Sequence, residues 1–425
     1  MTSSTRGLLG NADFLRLWTA ETVSVFGTQV TLLALPLVAA TTLSVSAFEF
    51  GLLSTVELLP FIMLSLPAGV WVDRLRRRPI MIAADLGRAV ALASIPVAFA
   101  FDSLTIWQLY VVGFVNGCFT VFFDVAYQSY LPSIVERDQL VEGNAKLEIT
   151  RSAAQILGPG LAGLLIGVLR APIAIVLDAI SFVWSAVFLG LIQRPEPPVR
   201  HDDESGVRPE PSMRREIAAG LRYVTGHPWL RSLAATTAIA NFFGSLGASI
   251  LILYLVRERH LGAETIGLAF SIGSVGVLLA AITTSRLTRM VGVGRMLTLT
   301  SIGFSVAALP VPIASEALIV PAVAASGFLF GYSGVAWGIN QLSLRQAITP
   351  PPMQGRMNAT MRFISWGTTP IGAIVGGALG TAIGLHAAIW VGALGGLFAF
   401  VPVALSSVRS ITTIPVREDD GAAPE

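Results

Sequence analysis

Twelve apolar runs dominate this 425-residue chain, and each is long enough to cross a bilayer. They fall at 13–41, 47–71, 79–100, 104–130, 150–169, 172–192, 231–256, 264–285, 296–314, 317–340, 357–381 and 385–408. A hydrocarbon core of roughly 30 Å needs about 20 apolar residues per helix. Backbone amides and carbonyls find no water there, so each run has to satisfy its own hydrogen bonds as a helix. Only 13% of the residues are charged, where soluble domains carry about a quarter. The expected fold is therefore an all-α membrane protein with twelve transmembrane helices.

Residues 193–230 interrupt the apolar pattern. Arg194-Pro195-Glu196-Pro197-Pro198 ends the sixth run, and His201-Asp202-Asp203-Glu204 is strongly polar. Ile217, Leu221 and Val224 recur at helical spacing among arginines and glutamate, which predicts a short amphipathic helix over Met213–Thr225 at the membrane surface. The expected organisation is a tail at 1–12, a six-helix half at 13–192, the linker at 193–230, a second six-helix half at 231–408 and a tail at 409–425. Span one is too long for a signal peptide and is expected to be retained. Cys118 is the only cysteine, which excludes a disulfide framework and a cysteine metal site, and no other metal-ligating cluster stands out.

Basic residues gather in alternate loops. Arg74, Arg76, Arg77 and Arg78 follow span two, Arg137 and Lys146 follow span four, Arg286, Arg289 and Arg295 follow span eight, and Arg345 and Arg356 follow span ten. The opposite loops carry only Arg170, Arg257 and Arg259. Basic loops stay cytoplasmic, so both termini and the linker are expected on that side of the cytoplasmic membrane. The arginines are thus topology signals, and no nucleic-acid partner is expected.

The loop after span two reads Gly69-Val70-Trp71-Val72-Asp73-Arg74-Leu75-Arg76-Arg77-Arg78. With Gly69, Asp73, Arg74, Arg77 and Arg78 it resembles the loop signature of the major facilitator superfamily. Arg76 stands where that signature has a second glycine, which is expected to leave the turn less free. The loop after span eight, Ser285-Arg286-Leu287-Thr288-Arg289, is a worn copy with Ser285 in place of Asp73. Further traces of repetition are Asn144 and Asn358 entering spans five and eleven, and Pro159 and Pro370 within them. Two parallel six-helix repeats match the superfamily's plan.

Within it the chain is most similar to the macrolide-efflux and enterobactin-exporter branch, through Asn11, Phe14, Arg16, Leu17 and Trp18, the Asp85–Arg88 stretch, Tyr130–Val135, and Leu177–Phe182. Ala154 to Gly163 resembles the exporters' helix motif, with Gly158, Pro159 and Gly163 in place and alanine at Ala154 and Ala162. The resemblance implies a proton-coupled exporter of a drug-like, macrolide-like or siderophore-like molecule, working by alternating access. The alternatives are an importer or facilitator of a small metabolite, or a non-transporting membrane sensor on the same fold. A sensor would carry an appended soluble domain, and the tails here are short. The implied partners are a small-molecule substrate, protons and the lipid bilayer, for a chain acting as a monomer. No enzyme constellation, nucleotide loop or cofactor motif is present, since Gly292-Val293-Gly294 lacks the rest of a phosphate motif.

Charges inside a bilayer are costly and usually face the protein interior or a water-filled cavity. Glu57 near the middle of span two is the first candidate for proton coupling. Glu21 in span one and Asp124 in span four follow it. Asp85 and Arg88 share a helix face and can pair. They are expected to form an inner charge network with Asp73 and Asp124, while Arg356 and Arg362 at the start of span eleven are candidate partners of the gating loop. Asp178 is expected to hold a packing contact. Gln29, Tyr127, Asn241, Asn340, Gln341 and Trp337 are candidates to line the cavity.

Overall fold

The computed structural model describes residues 8–136, 139–196 and 213–413, without the side chains of 65, 66, 70, 73, 213–217, 351 and 352. Among these residues the chain is helical. The helices are α1 (Ala12–Leu37), α2 (Ala47–Asp73), α3 (Arg77–Ala100), α4 (Ile106–Ile134), α5 (Leu140–Leu169), α6 (Ala171–Gly190), α7 (Met213–Gly226), α8 (Pro228–Arg257), α9 (Ala263–Val291), α10 (Val293–Ala307), α11 (Pro310–Ile313), α12 (Ile319–Ile348), α13 (Pro351–Ile383), α14 (Leu385–Gly396) and α15 (Val401–Ala404). A π-helical turn, Val38–Thr42, prolongs α1. Eleven segments are long and apolar enough to cross a membrane, with α10–α11 and α14–α15 each forming one segment. The twelfth long helix is α13, which glycine and threonine at 367–369, 372, 376–377 and 380–381 make less apolar. The twelve-helix plan stands, and α7 is the predicted linker helix.

Local chemistry sets where helices begin. Asn11 accepts hydrogen bonds from the amides of Asp13 and Phe14, both at 3.1 Å, and starts α1. Ser46 and Glu49 form a reciprocal capping box at the head of α2. The α5 helix starts at Leu140, ten residues ahead of the span expected from hydropathy at 150. Its first turns carry Glu142, Asn144, Lys146 and Glu148, whose polarity hides them from a search for apolar runs.

Arg76 has extended geometry, φ −68°, so the α2–α3 turn does not need the glycine that the loop signature would place there. The strained turn is elsewhere. Arg170, between α5 and α6, has φ 70° and ψ 150°, and Gly384, between α13 and α14, repeats that geometry at φ 88° and ψ 157°. Glycine enters this region freely, whereas a residue with a side chain pays roughly 1–3 kcal/mol.

Contacts divide the chain into two compact units, one of residues 1–204 and 255–271, the other of 205–254 and 272–425. In the first unit α1 packs on α6 and α5, α3 on α6 and α4, and α2 on α4. Its densest apolar cluster joins Leu8, Phe14 and Leu17 to Met81, Tyr130, Ile134 and Leu189, where α3 begins and α4 and α6 end. In the second unit α10 packs on α12, and α7 lies along α13. Val224 of α7 is buried in a cluster with Leu230, Leu344, Met357 and Val408. The linker helix is therefore built into this unit and not merely tethered to it.

Candidate functional site

The first unit holds a set of membrane-depth charges contributed by five helices. Glu21 of α1 accepts hydrogen bonds from Arg151 of α5, at 3.1 Å from Nε and 3.0 Å from Nη2. The glutamate side chain is 4% exposed and the arginine 37%, so the pair lies partly open. Arg151 also stands over the ring of Tyr127 at 5.1 Å. On α3, Asp85 and Arg88 form the expected ion pair, fully buried, and Arg88 packs over the rings of Phe123 at 4.4 Å and Phe182 at 4.0 Å. Asp124 of α4 lies within electrostatic reach of both Arg88 and Arg151, but makes no hydrogen bond or contact ion pair among the described residues. Asp178 of α6 accepts hydrogen bonds from Thr31 and Ser181, and ties α6 to α1 beside Gly27.

Four acids thus share two arginines. Two of the acids, Glu21 and Asp85, hold a contact ion pair. Asp178 is satisfied by hydroxyls, and Asp124 is left as the carboxylate without a contact partner. Arg151 is the member of this charge set that the sequence does not single out. It fell at the edge of the expected fifth span, whereas the helix places it about 16 Å from its first residue at 1.5 Å per residue. A usable signal was present: Arg151 is the only basic residue between Lys146 and Arg170.

Glu57 stands apart from this set. Its position is about 15 Å along α2 from Ala47. The side chain lies against Gly113 of α4, where a β-carbon would come within 3.0 Å of its Cγ. It has no hydrogen bond or ion pair among the described residues, in contrast to Glu21.

The other candidates are distributed as follows. Gly69 has open space around its α-carbon. Asp73 closes α2, and its side chain lies outside the described residues. Arg74 is exposed, whereas Arg78 donates to the carbonyl of Leu189 at 2.8 Å and to that of Gly190, capping α6. The amides of Arg77 and Arg78 donate to Glu196 at 2.6 and 3.5 Å, so this glutamate caps α3. The neighbouring amides of Gln193 and Arg194 donate to Asp13 of α1 at 3.0 and 2.9 Å. Gln29 lies over Gly158, whose missing side chain makes room for it. Tyr127 is buried, and its hydroxyl has no partner among the described residues.

In the second unit, Asn241, Ser245 and Ser249 of α8 donate to the carbonyls of Ser365, Thr369 and Ala373 of α13 at 2.6, 2.7 and 3.3 Å. This ladder rises one turn at a time along both helices, and Gly372 and Gly376 allow the close approach. Asn340 uses both ends of its amide, accepting from Thr288 at 3.0 Å and donating to Ala336 at 2.8 Å. Trp337 is buried against Phe304. The Gln341 side-chain oxygen is buried without a partner among the described residues. Arg356 lies on the face of α13 that meets Gly220 of α7, and Arg362 is exposed.

The exporter-like motif in α5 meets α9 backbone to backbone inside the first unit. The amide of Gly160 donates to Ser271 at 2.7 Å. A β-carbon on Gly163 would sit 2.5 Å from the carbonyl oxygen of Ala263, and one on Gly267 would overlap that of Pro159.

The chain belongs to the Major Facilitator Superfamily, whose profile matches residues 17–365. It is similar to the multidrug efflux pump Tap of Mycolicibacterium fortuitum, 26% identical over 391 residues, covering 89% of this chain and 90% of that one. Enterobactin exporter EntS of Salmonella typhimurium is 24% identical over 349 residues, 80% of this chain and 75% of its own. Macrolide efflux protein A of Streptococcus pyogenes is 26% identical over 183 residues, 43% of this chain and 45% of its own. Among solved structures, an inward-facing bacterial homologue of the iron transporter ferroportin superposes with a TM-score of 0.72 at 18% identity, covering 94% of this chain and 99% of that one. The nucleoside transporter NupG gives 0.67 at 12%, covering 92% and 97%. The branch suggested by the motifs is thus the one in which named relatives fall, and the protein is a membrane transporter.

Proposed function

We propose that this transporter is a secondary active exporter, carrying a drug-like, macrolide-like or siderophore-like small molecule out across the cytoplasmic membrane in exchange for protons. The observation that carries export is the match to Tap, a named efflux pump, over about nine-tenths of both chains. The backbone contact of Gly160, Gly163 and Pro159 with the start of α9 supports it, because so close an approach excludes water and resists leak. Alternating access would come from the two six-helix halves moving around a midplane site. The loop with Gly69, Asp73, Arg74, Arg77 and Arg78 would act as the inner gate, with Arg356 and Arg362 as candidate partners.

Coupling needs an acid that exchanges a proton as access alternates. Glu57 and Asp124 fit best, because neither is neutralised by a contact ion pair among the described residues. Glu21 would have to leave Arg151 first. The test is transport in proteoliposomes with an imposed pH gradient, using erythromycin, a catecholate siderophore and a lipophilic cationic dye as substrates. At least one should move uphill against the proton flux and stop on adding a protonophore. Movement only down its own gradient, indifferent to pH, would make the protein a facilitator.

A further inference from the structure

Each unit carries a groove of the same build. In the first unit a cavity of about 560 Å³ is walled by Arg76, Arg78 and Arg194, with Pro79, Ile82, Ala83 and Leu86 of α3 as its apolar side. Glu196 also lines it, but its carboxylate already accepts the first amides of α3. In the second unit a cavity of about 530 Å³ lies at the equivalent place, between the start of α10 and the segment after α15. Arg295 and Arg409 supply its charge, and Leu299 and Val291 its apolar side.

The apolar sides are not isolated. Ala83 and Leu86 begin an exposed stripe on α3 that continues through Val90, 74% exposed, and Val97, 56% exposed. Leu299 and Ile302 do the same on α10. Exposed aliphatic stripes on membrane helices face acyl chains. Each groove is thus cationic at its head and continuous with a lipid-facing surface below.

We propose that both grooves bind anionic phospholipid, Arg76 and Arg295 holding the phosphate and the stripe an acyl chain. Arg78, Arg194 and Arg409 already donate to the carbonyls of Leu189 and Gly190, of Ile134 and of Ala404, respectively, and add only their charge. Basic pockets beside membrane helices on the cytoplasmic side are suited to such headgroups. A free phosphate would use the arginines but leave the stripe unexplained. A zwitterionic lipid would bring a cation against two or three arginines. This proposal is independent of substrate and direction.

The test is native mass spectrometry of the full chain in detergent, titrated with phosphatidylglycerol and, separately, with phosphatidylcholine. Two phosphatidylglycerol molecules should be retained in preference to phosphatidylcholine. Arg76→Gln and Arg295→Gln, both at exposed positions, should each weaken one of the two by about fivefold, and the double variant both. Leu86→Asn should weaken the first site with its arginines intact, which keeps the test open if an arginine variant folds poorly. Equal retention of the two lipids, or unchanged binding in all variants, would overturn the proposal. Displacement of phosphatidylglycerol by millimolar inorganic phosphate would also overturn it, as the mark of a free-anion site.

Discussion

The membrane-depth acids differ in what each would lose by neutralisation. Glu57 lies against a glycine with no polar partner among the described residues, so Glu57→Gln removes a charge and breaks no bond. Uphill efflux driven by a pH gradient should fall to background in this variant, while downhill exchange of substrate persists. Undiminished uphill transport would remove Glu57 as the coupling acid and leave Asp124, tested by Asp124→Asn in the same assay. Glu21 is bound to Arg151, and its loss has a structural side. Arg151→Gln leaves a buried carboxylate without its counter-ion and should cost about 1–3 kcal/mol, discounted because the arginine is partly open to solvent. The double variant Glu21→Gln/Arg151→Gln should recover most of that loss, read as thermal midpoints in detergent. Additive losses would show that the pair is not coupled. Hydropathy and charge exposed Glu57, Glu21 and Asp124 directly. It could not expose Arg151 as a partner, because the pairing spans 130 positions and only helix packing brings it about.

At the scale of elements, the α5–α9 contact rests on glycines at specific heights. A β-carbon on Gly267 would overlap the carbonyl of Pro159, and backbone cannot turn aside as a side chain does. Gly267→Ala should therefore separate the helices, lower the thermal midpoint by the equivalent of about 1–3 kcal/mol, and raise passive leak of a small solute in proteoliposomes. Gly338→Ala is the matched control. Its α-carbon has open space, so alanine should be neutral or gain up to about 1 kcal/mol from helix propensity. A Gly267→Ala protein as stable and tight as the control would refute the packing role. The motif around Gly158 and Pro159 was legible in the sequence, but its partner was not. The helix starts were also hidden wherever α5 and α13 run past the apolar core into polar residues. Glu196 escaped notice because a capping role depends on the chain folding back onto α3, which no local pattern records.

For the whole molecule, the repeat that the sequence showed only in fragments is plainer in backbone geometry. Arg170 and Gly384 share one rare conformation at the same junction of the two halves. Segments following α6 and α15 cap α3 and α10 in the same way, one through the Glu196 side chain and the other through the carbonyls of Thr412 and Ile411. By the positive-inside rule we expect both capping segments, the basic loops and the linker helix α7 on the cytoplasmic side. Orientation is a property of the entire set of loops, and one pair of positions can test it. Ser103 is exposed between α3 and α4, and Thr225 is exposed near the end of α7. In a background with Cys118 replaced by alanine, Ser103→Cys should react with a membrane-impermeant maleimide on intact cells, and Thr225→Cys should not. Inverted vesicles should reverse the pattern, which excludes poor intrinsic reactivity as the reason for silence at either site. Labelling of Thr225→Cys from outside intact cells would invert the topology. The arginine-rich grooves would then face the outer leaflet, and the proton-exchange direction proposed for export would have to be reversed with them.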